Sequence, residues 1–413
     1  MLRSCVRSGL RLVIWTRSMV GIGTGARRHG ADGLRRVRSF LGGLRRKYRA
    51  GRTLLRELRK LLRKERQWPV TLRMRRPKWW LKGFLSRSSV LYDLDHNEHG
   101  KYVSDLQRVF RTKRMVNPRL QDVINNKFTT HLLLRAMDVR SPELLGLYSR
   151  GSVHPFPGDE RIDLSRYVAS LSVGETVFFK VLAGAEGKNI FALTRTSAET
   201  VRVNSEVLPL EQAVGVLRRQ DRPFIIERGL EQHPVVSSLF PHSVNTVRAL
   251  TMLDVTNNHE PFIALAVQRI GCRRSAPSDN WSRGGLSARI DLDTGQLTQA
   301  TRLPDSNVKE WFAAHPDTGA QIAGVELPHW RETRELILHS ARVLSFMEYV
   351  GWDIVIGPDG PLVLEANINT GVNVLQSHQP LFTDPRVRAF YAERGVRTEL
   401  SDEPPPVIVE EPV

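Results

Sequence analysis

Apolar positions along this chain change period several times, and each change marks an element. Between residues 54 and 62, leucines at 54, 55, 58, 61 and 62 fall among arginines and lysines with the spacing of one helix face. The helical pattern resumes from about 85 to 146, with Tyr102, Leu106, Val109 and Phe110. It breaks at Asn117-Pro118 and restarts at Asn126-Lys127-Phe128 to run through Leu132-Leu133-Leu134. Beyond it the apolar runs shorten and read as strands: 176–182, carrying Lys180; 190–193; 223–227, ending at Glu227; 244–251, carrying Arg248; and 261–270, leading to Arg269. A further hairpin turns at Asp293-Thr294-Gly295. Residues 330–349, with Leu336, Ile337, Ala341, Leu344 and Met347 in register, predict a long helix that delivers the chain to a last hairpin.

That hairpin, 351–367, is two short apolar strands joined by Pro358-Asp359-Gly360. A three-residue loop, with Pro358 setting a type I turn and Gly360 in the left-handed position, places Asp353 opposite Glu365. Asn367, two residues on, then shares their face. A two-residue loop at Pro358-Asp359 would put the two acids on opposite faces. Two carboxylates and an amide suit Mg²⁺ that also holds substrate phosphates, whereas an ordinary hairpin with rim acids has the same sequence pattern.

Composition sharpens the organisation. Residues 1–82 hold 25 Lys and Arg against Asp32, Glu57 and Glu65, a net +22. The whole chain carries +18, so the part from Gly83 onward carries −4. The basicity belongs to an N-terminal arm, which argues against nucleic-acid binding by the folded part. The arm combines basic helical spacing with Trp68, Trp79 and Trp80, a composition that fits an anionic membrane surface. The plainer reading of the same composition is a solvated tail or an arm packed on the body. A start assigned too far upstream, with Met19 or Met74 as later candidates, is a further alternative. About 18 consecutive apolar residues occur nowhere, and Arg11 and Arg17 interrupt the nearest signal-like stretch. Cys5 and Cys272 match no disulfide or zinc spacing. A cytoplasmic protein is expected, peripheral at the inner face of the membrane if the arm binds lipid. The expected divisions are an arm (1–82), a helical region (83–150), two further α+β parts (151–235 and 236–395) and an acidic, proline-rich tail (396–413).

Each polar candidate has a plain structural alternative when taken alone. A lysine opening a helix, such as Lys127, is usually solvated. Lys180 in a greasy strand needs a partner, because an unpaired buried ammonium is costly. The following loop, 183–189, includes Gly184, Glu186 and Gly187; its glycines let backbone N–H groups approach a phosphate, but it has neither a dinucleotide nor a P-loop pattern.

Order is what discriminates. The chain presents Lys127, Lys180 before a glycine loop, Glu227 ending a strand, Asn245-Thr246-Val247-Arg248, Asp279-Asn280-Trp281-Ser282-Arg283-Gly284-Gly285, Gly351-Trp352-Asp353, and Glu365-Ala366-Asn367. This set resembles the ATP-grasp superfamily and, more closely, its sugar-transfer-associated family, over roughly residues 114–390. The resemblance implies an α+β ATP-grasp fold, two subdomains gripping ATP between antiparallel sheets, preceded by the helical region. It implies that Lys127 and Lys180 reach the phosphates and that Glu186 and Gly187 lie in a covering loop. Glu227, Arg228 and Leu230 would form the adenine hinge, with Glu231, Gln232 or His233 at the ribose. Arg248 would neutralise the γ-phosphate or a phosphorylated intermediate. Asp353, Glu365 and Asn367 would hold Mg²⁺, and Arg269, Asn280, Arg283 and the backbone of Gly284-Gly285 would face the acceptor.

The activity implied is an ATP- and Mg²⁺-dependent carboxylate–amine ligase acting through an acyl phosphate, on small-molecule carboxylate and amine substrates connected with the cell envelope or polysaccharide biosynthesis. An ATP-grasp kinase shares the same nucleotide site. A non-catalytic nucleotide-binding, membrane-associated module is the alternative from another class.

Overall fold

The computed structural model describes residues 51–112, 123–158, 160–182, 190–368 and 370–396. The chain divides into two compact units, Met1–Arg63 and Lys64–Val413. In the first, the described residues 51–63 are helical, as the leucine spacing predicts, and Leu54, Leu55, Leu58 and Leu62 are exposed. Residues 1–50, the break at Asn117-Pro118, the loop with Glu186 and Gly187, and the tail from 397 lie outside the described residues.

The second unit holds two antiparallel sheets. The first combines β1 (Leu144–Ser149), β2 (Ser152–Pro155), β3 (Ile162–Asp163), β4 (Thr176–Val181), β5 (Ile190–Arg195), β6 (Thr200–Val203), β7 (Glu206–Pro209) and β8 (Phe224–Arg228). Its spatial order is β3-β2-β1-β8-β4-β5-β6-β7, so the last strand in sequence returns to the middle. The helices Leu164–Ser170 and Leu210–Arg218 cover one face, packing Val168, Val214 and Leu217 with Val177, Phe179 and Val181 of β4. Period-two alternation then turns Phe178 and Lys180 to the other face, and Glu227 lies opposite Phe178 on that face.

The second sheet runs β13 (Trp311–Phe312), β12 (Leu297–Arg302), β11 (Leu286–Ile290), β10 (Glu260–Ile270), β9 (Val247–Asp254), β14 (Tyr349–Gly357), β15 (Gly360–Asn367). All nine residues of β14 are buried, because elements cover both faces of this strand. The helix Trp330–Val343 packs Ile337 and Ala341 into the core, with Trp330 Nε1 donating to the Leu292 carbonyl at 3.0 Å. It is shorter than the apolar spacing predicts. Leu344 caps it, and a tight Met347 N–H to Leu344 carbonyl bond turns the chain so that the strand begins at Tyr349. Leu344 and Met347 are buried all the same, which is why they mimic helical positions in sequence.

The expected helical stretch from 85 is likewise divided. Helices occupy Ser86–Leu91, Asp105–Phe110 and Lys127–Ala136, and a Ser104/Gln107 capping box starts the second. Tyr102 lies between helices, stacked on Tyr92 with ring centroids 4.8 Å apart. Trp68 is buried, donating from Nε1 to the Pro304 carbonyl at 3.0 Å.

The last hairpin departs from its predicted turn. Gly357 pairs directly with Gly360, so the loop is only Pro358-Asp359, although Gly360 does have a positive φ of 110°. Continued unbroken, that register would set Asp353 opposite Leu364. A bulge between Asp353 and Ile354 shifts it by one residue, and Asp353 pairs with Glu365 after all. The predicted pairing is therefore present, produced by a bulge rather than by loop length.

Candidate functional site

Register on the second sheet gathers charge on one face. Glu365 lies opposite Asp353, Asp353 opposite Arg248, and Arg248 opposite Val267; Arg269, two residues beyond Val267, points the same way. Arg248 clasps Asp353 through Nε–Oδ1 at 2.5 Å and Nη2–Oδ2 at 2.8 Å, and its Nη1 donates to Thr370 Oγ1 at 3.0 Å. Arg269 donates to both Asp353 oxygens at 3.3 Å and to Asp279 Oδ1 at 2.5 Å. Asp279 Oδ2 also accepts from the Thr246 amide (3.0 Å) and hydroxyl (2.5 Å). Asn367 Nδ2 donates to Asp353 Oδ2 at 3.3 Å, and Lys127 Nζ donates to Glu365 Oε1 at 2.6 Å.

The two buried carboxyls differ. Burial raises the Asp353 pKa, but Arg248 and Arg269 outweigh it and hold that carboxyl below its ordinary value. Burial wins at Asp279, where Arg269 and Thr246 oppose it only in part, and the pKa is raised. For Arg248, burial disfavours the charge, yet Asp353, Glu365 and Asp279 outweigh it and raise the pKa.

Lys127 connects the two sheets. Asn126 caps its helix by accepting from the Phe128 and Thr129 amides. The Lys127 amide donates to the Leu182 carbonyl at 2.8 Å, just past the end of β4, while its ammonium reaches Glu365 on β15. On the first sheet Lys180 Nζ donates to Glu227 Oε2 at 2.5 Å, the partner that a lysine in an apolar strand requires. His131, one helical turn after Lys127, is buried, and burial is the main cause of its lowered pKa, with Glu227 opposing and Lys180 reinforcing.

Other sequence candidates sit apart from this network. The amides of Arg228 and Gly229 are taken by the carbonyls of Glu143 and Thr176. The Arg228 guanidinium reaches outward to Glu143 and Glu175. Leu230 is half-buried and Glu231 is exposed. Gln232 spends its amide on the Ser243 carbonyl and Asn245 amide. His233 caps the helix Pro234–Leu239 through Nδ1. Asn280 Oδ1 caps the short 3-10 turn Trp281–Arg283 by accepting from Ser282, and Arg283 is exposed. Gly187 lies outside the described residues.

Several participants have no role assigned from the sequence: Asp279 and Thr246, although both stand in the quoted motifs, and Thr370 and His131. Asp279 had a usable signal, since it stands in the quoted Asp-Asn-x-Ser motif and a half-buried Arg269 needs an acid. Thr370 had none. Its place depends on Gly351, where a Cβ would come within 2.3 Å of Thr370 Oγ1, so only glycine leaves room for the threonine that braces Arg248.

Taken together, four cations (Lys127, Lys180, Arg248, Arg269) face four carboxylates (Glu365, Glu227, Asp353, Asp279). Such a set is balanced until a polyanion enters, when cations can turn to it and the released carboxylates can take divalent metal. The oxygen donors Asp353, Glu365 and Asn367 fit Mg²⁺, on the condition that Arg248 yields an Asp353 oxygen. Among the described residues no group of three or more His, Cys, Asp or Glu forms a metal cluster, so this set depends on the Asn367 amide.

The model of the sugar-transfer associated ATP-grasp family matches residues 107–384. No curated protein matches the chain. Among solved structures, the D-alanine-D-alanine ligase from Coxiella burnetii is 11% identical, with a TM-score of 0.37, covering 67% of this chain and 60% of that one. An ADP complex of N5-carboxyaminoimidazole ribonucleotide synthetase is 11% identical (TM-score 0.36; 63% and 52% covered). The ATP-grasp ligase PsnB with its minimal precursor is 18% identical (TM-score 0.30; 62% and 54%). The chain thus spans between half and two thirds of the length of these structures.

Proposed function

We propose a function from one premise: the chain belongs to the sugar-transfer associated ATP-grasp family, whose superfamily uses ATP and Mg²⁺ in general, and within it this protein is a carboxylate–amine ligase. The supporting observation is the balanced set of four cations and four carboxylates, joined by five ion pairs across the faces of the two sheets. A site that keeps this many charges paired and largely out of water is suited to exchanging protein partners for phosphate.

In this proposal Lys127 and Lys180 turn from Glu365 and Glu227 toward the ATP phosphates. A substrate carboxylate oxygen attacks the γ-phosphorus, the bond to the ADP oxygen breaks, and an acyl phosphate results. Arg248 neutralises the transferred phosphoryl group, and Arg269, oriented by Asp279, holds the carboxylate. An amine then attacks the carbonyl, loses a proton, and phosphate leaves. Asp353, Glu365 and Asn367 would hold Mg²⁺, which when bound supplies charge neutralisation at the phosphates. The hinge and ribose assignments rest on Leu230 and Glu231, because the amides of Arg228 and Gly229 are already spent on the Glu143 and Thr176 carbonyls.

The acceptor is proposed to be a cell-envelope or polysaccharide-related molecule, in keeping with the family's description. The basic arm is proposed to bring the enzyme to an anionic lipid surface. No helix among the described residues is long and apolar enough to cross a membrane. However, Leu54, Leu55, Leu58 and Leu62 in the first unit, and Leu72, Trp80 and Leu81 in the second, are exposed large hydrophobics among basic residues. The test of the activity is ADP release across a panel of carboxylates and amines with product mass spectrometry. A joined product supports the ligase, a phosphorylated product identifies a kinase, and ADP-free mixtures throughout would sink both.

A further inference from the structure

The charged face of the second sheet does not end at Arg269. Arg269 pairs with Ser287 on β11, Ser287 with Thr301 on β12, and Thr301 with Trp311 on β13, so all four side chains share one face. With strands about 4.8 Å apart, this row extends about 14 Å from Arg269 toward the sheet edge opposite Lys127 and Glu365.

A second cluster lies over the far end of the row. His378 Nε2 meets Ser287 Oγ at 3.0 Å, and its Nδ1 is buried without a hydrogen-bond partner among the described residues. The His378 ring stands edge-on to Trp311 at 5.6 Å. Lys309 Nζ donates to the Ser377 carbonyl and sits 4.1 Å from the centroid of the Trp311 ring. Unlike Lys127, Lys180, Arg248 and Arg269, Lys309 has no carboxylate within ion-pairing distance among the described residues; Asp93 acts on it only at longer range. Arg289, two residues beyond Ser287, adds positive potential at His378. Trp311 remains 46% exposed, so the corner opens to solvent.

A half-buried ammonium with one carbonyl and a ring face for company is costly unless an anion completes its shell. We propose that Lys309, His378 and Trp311 form an anion-binding subsite at the far end of this row, taking a carboxylate or phosphate group of an acceptor whose reacting end lies at Arg269. The subsite rests on the ligase reading for its reacting end, and it predicts an acceptor larger than a single small amino acid. Lys309 supplies charge, the free His378 nitrogen supplies a hydrogen bond, and the exposed indole supplies a flat apolar face for the adjoining ring or chain. Burial lowers the Lys309 pKa to about 8 and that of His378 to about 3, so the imidazole stays neutral while the lysine remains mostly charged at neutral pH.

The test is lysine acetylation of the full chain by acetic anhydride, read by peptide mass spectrometry, with glucuronate, glucose 1-phosphate or neutral glucose present. Glucuronate or glucose 1-phosphate should slow Lys309 labelling at least fivefold, and whichever acts identifies a carboxylate or a phosphate as the recognised group. Equal effects of glucose and both anions, or no protection at all, would overturn the subsite. Trp311→Leu, at an exposed position, should raise the anion concentration for half-protection at least fivefold, and an unchanged concentration would also overturn it. In the same digests ADP with Mg²⁺ should protect Lys127 and Lys180, so a failure of the nucleotide assignment is read separately.

Discussion

Arg248 on β9 and Asp353 on β14 are direct cross-strand partners joined by two hydrogen bonds, 2.5 and 2.8 Å long, with Asp353 buried and Arg248 nearly so. Removing one member leaves the other charged and out of water. Arg248→Met should therefore cost about 3 kcal/mol, the low end for breaking a buried pair because Arg269 still contacts Asp353. Urea unfolding measures the loss. A change under 1 kcal/mol would show that the clasp is not formed in solution.

The Lys180–Glu227 pair separates stability from binding. Glu227→Gln and Lys180→Met should each destabilise by about 2–4 kcal/mol, while the double variant should be more stable than either single one. ADP binding, followed by calorimetry, should nonetheless be lost in Lys180→Met and in the double variant. Restored binding in the double variant would remove Lys180 from the nucleotide site.

His378 and Lys309 predict a pH signature. The folded-state pKa of His378 is lowered to about 3, mainly by burial and next by Lys309. Between about pH 3 and its ordinary value near 6.5, the unfolded chain binds a proton that the folded chain does not. Stability contributed by the neutral ring is thus full above 6.5 and falls by about 1.4 kcal/mol per pH unit as pH drops through that window. Lys309, lowered to about 8 by burial, acts in the same direction at higher pH: its penalty is full below 8 and fades as pH rises toward 10.5. Denaturation of wild type, His378→Gln and Lys309→Met across pH 4–10 checks both, each variant losing the slope in its own window.

The arm predicts a lipid effect. Deleting residues 1–63 should leave ADP formation by the remaining chain unchanged and weaken flotation with vesicles containing anionic lipid, with a smaller additional loss for Trp80→Ser with Leu81→Ser. Flotation that is unaffected by the deletion, or that is equal with neutral vesicles, would sink the membrane proposal.

How far the site was legible follows from the range of each interaction. Lys180 in an apolar strand demanded a carboxylate, and Arg248 and Asp353 sat in motifs whose order carries the family, so these could be named from sequence. The pairing of Asp353 with Glu365 was anticipated through the wrong device. Local turn preferences favour a three-residue loop, but the hairpin closes with two, and a bulge between Asp353 and Ile354, in a strand buried along its whole length, restores the register. Thr370 reaches the site through a tertiary contact that no local period reveals, whereas Asp279 stands in a legible motif and only its partner Arg269 is set by the fold. The helix expected through Tyr349 stops at Val343 because Leu344 and Met347 are buried from a turn, and burial, not helicity, is what an apolar spacing reports.

The central claim, that ATP activates a carboxylate at this site, is tested most directly by isotope transfer. With a carboxylate substrate labelled with ¹⁸O, an amine, ATP and Mg²⁺, the phosphate released should carry one ¹⁸O atom from the carboxylate, with ADP formed in equal amount. The label should disappear from phosphate in Arg248→Met because turnover is lost. Unlabelled phosphate, or a phosphorylated product with no phosphate released, would contradict an acyl-phosphate ligase.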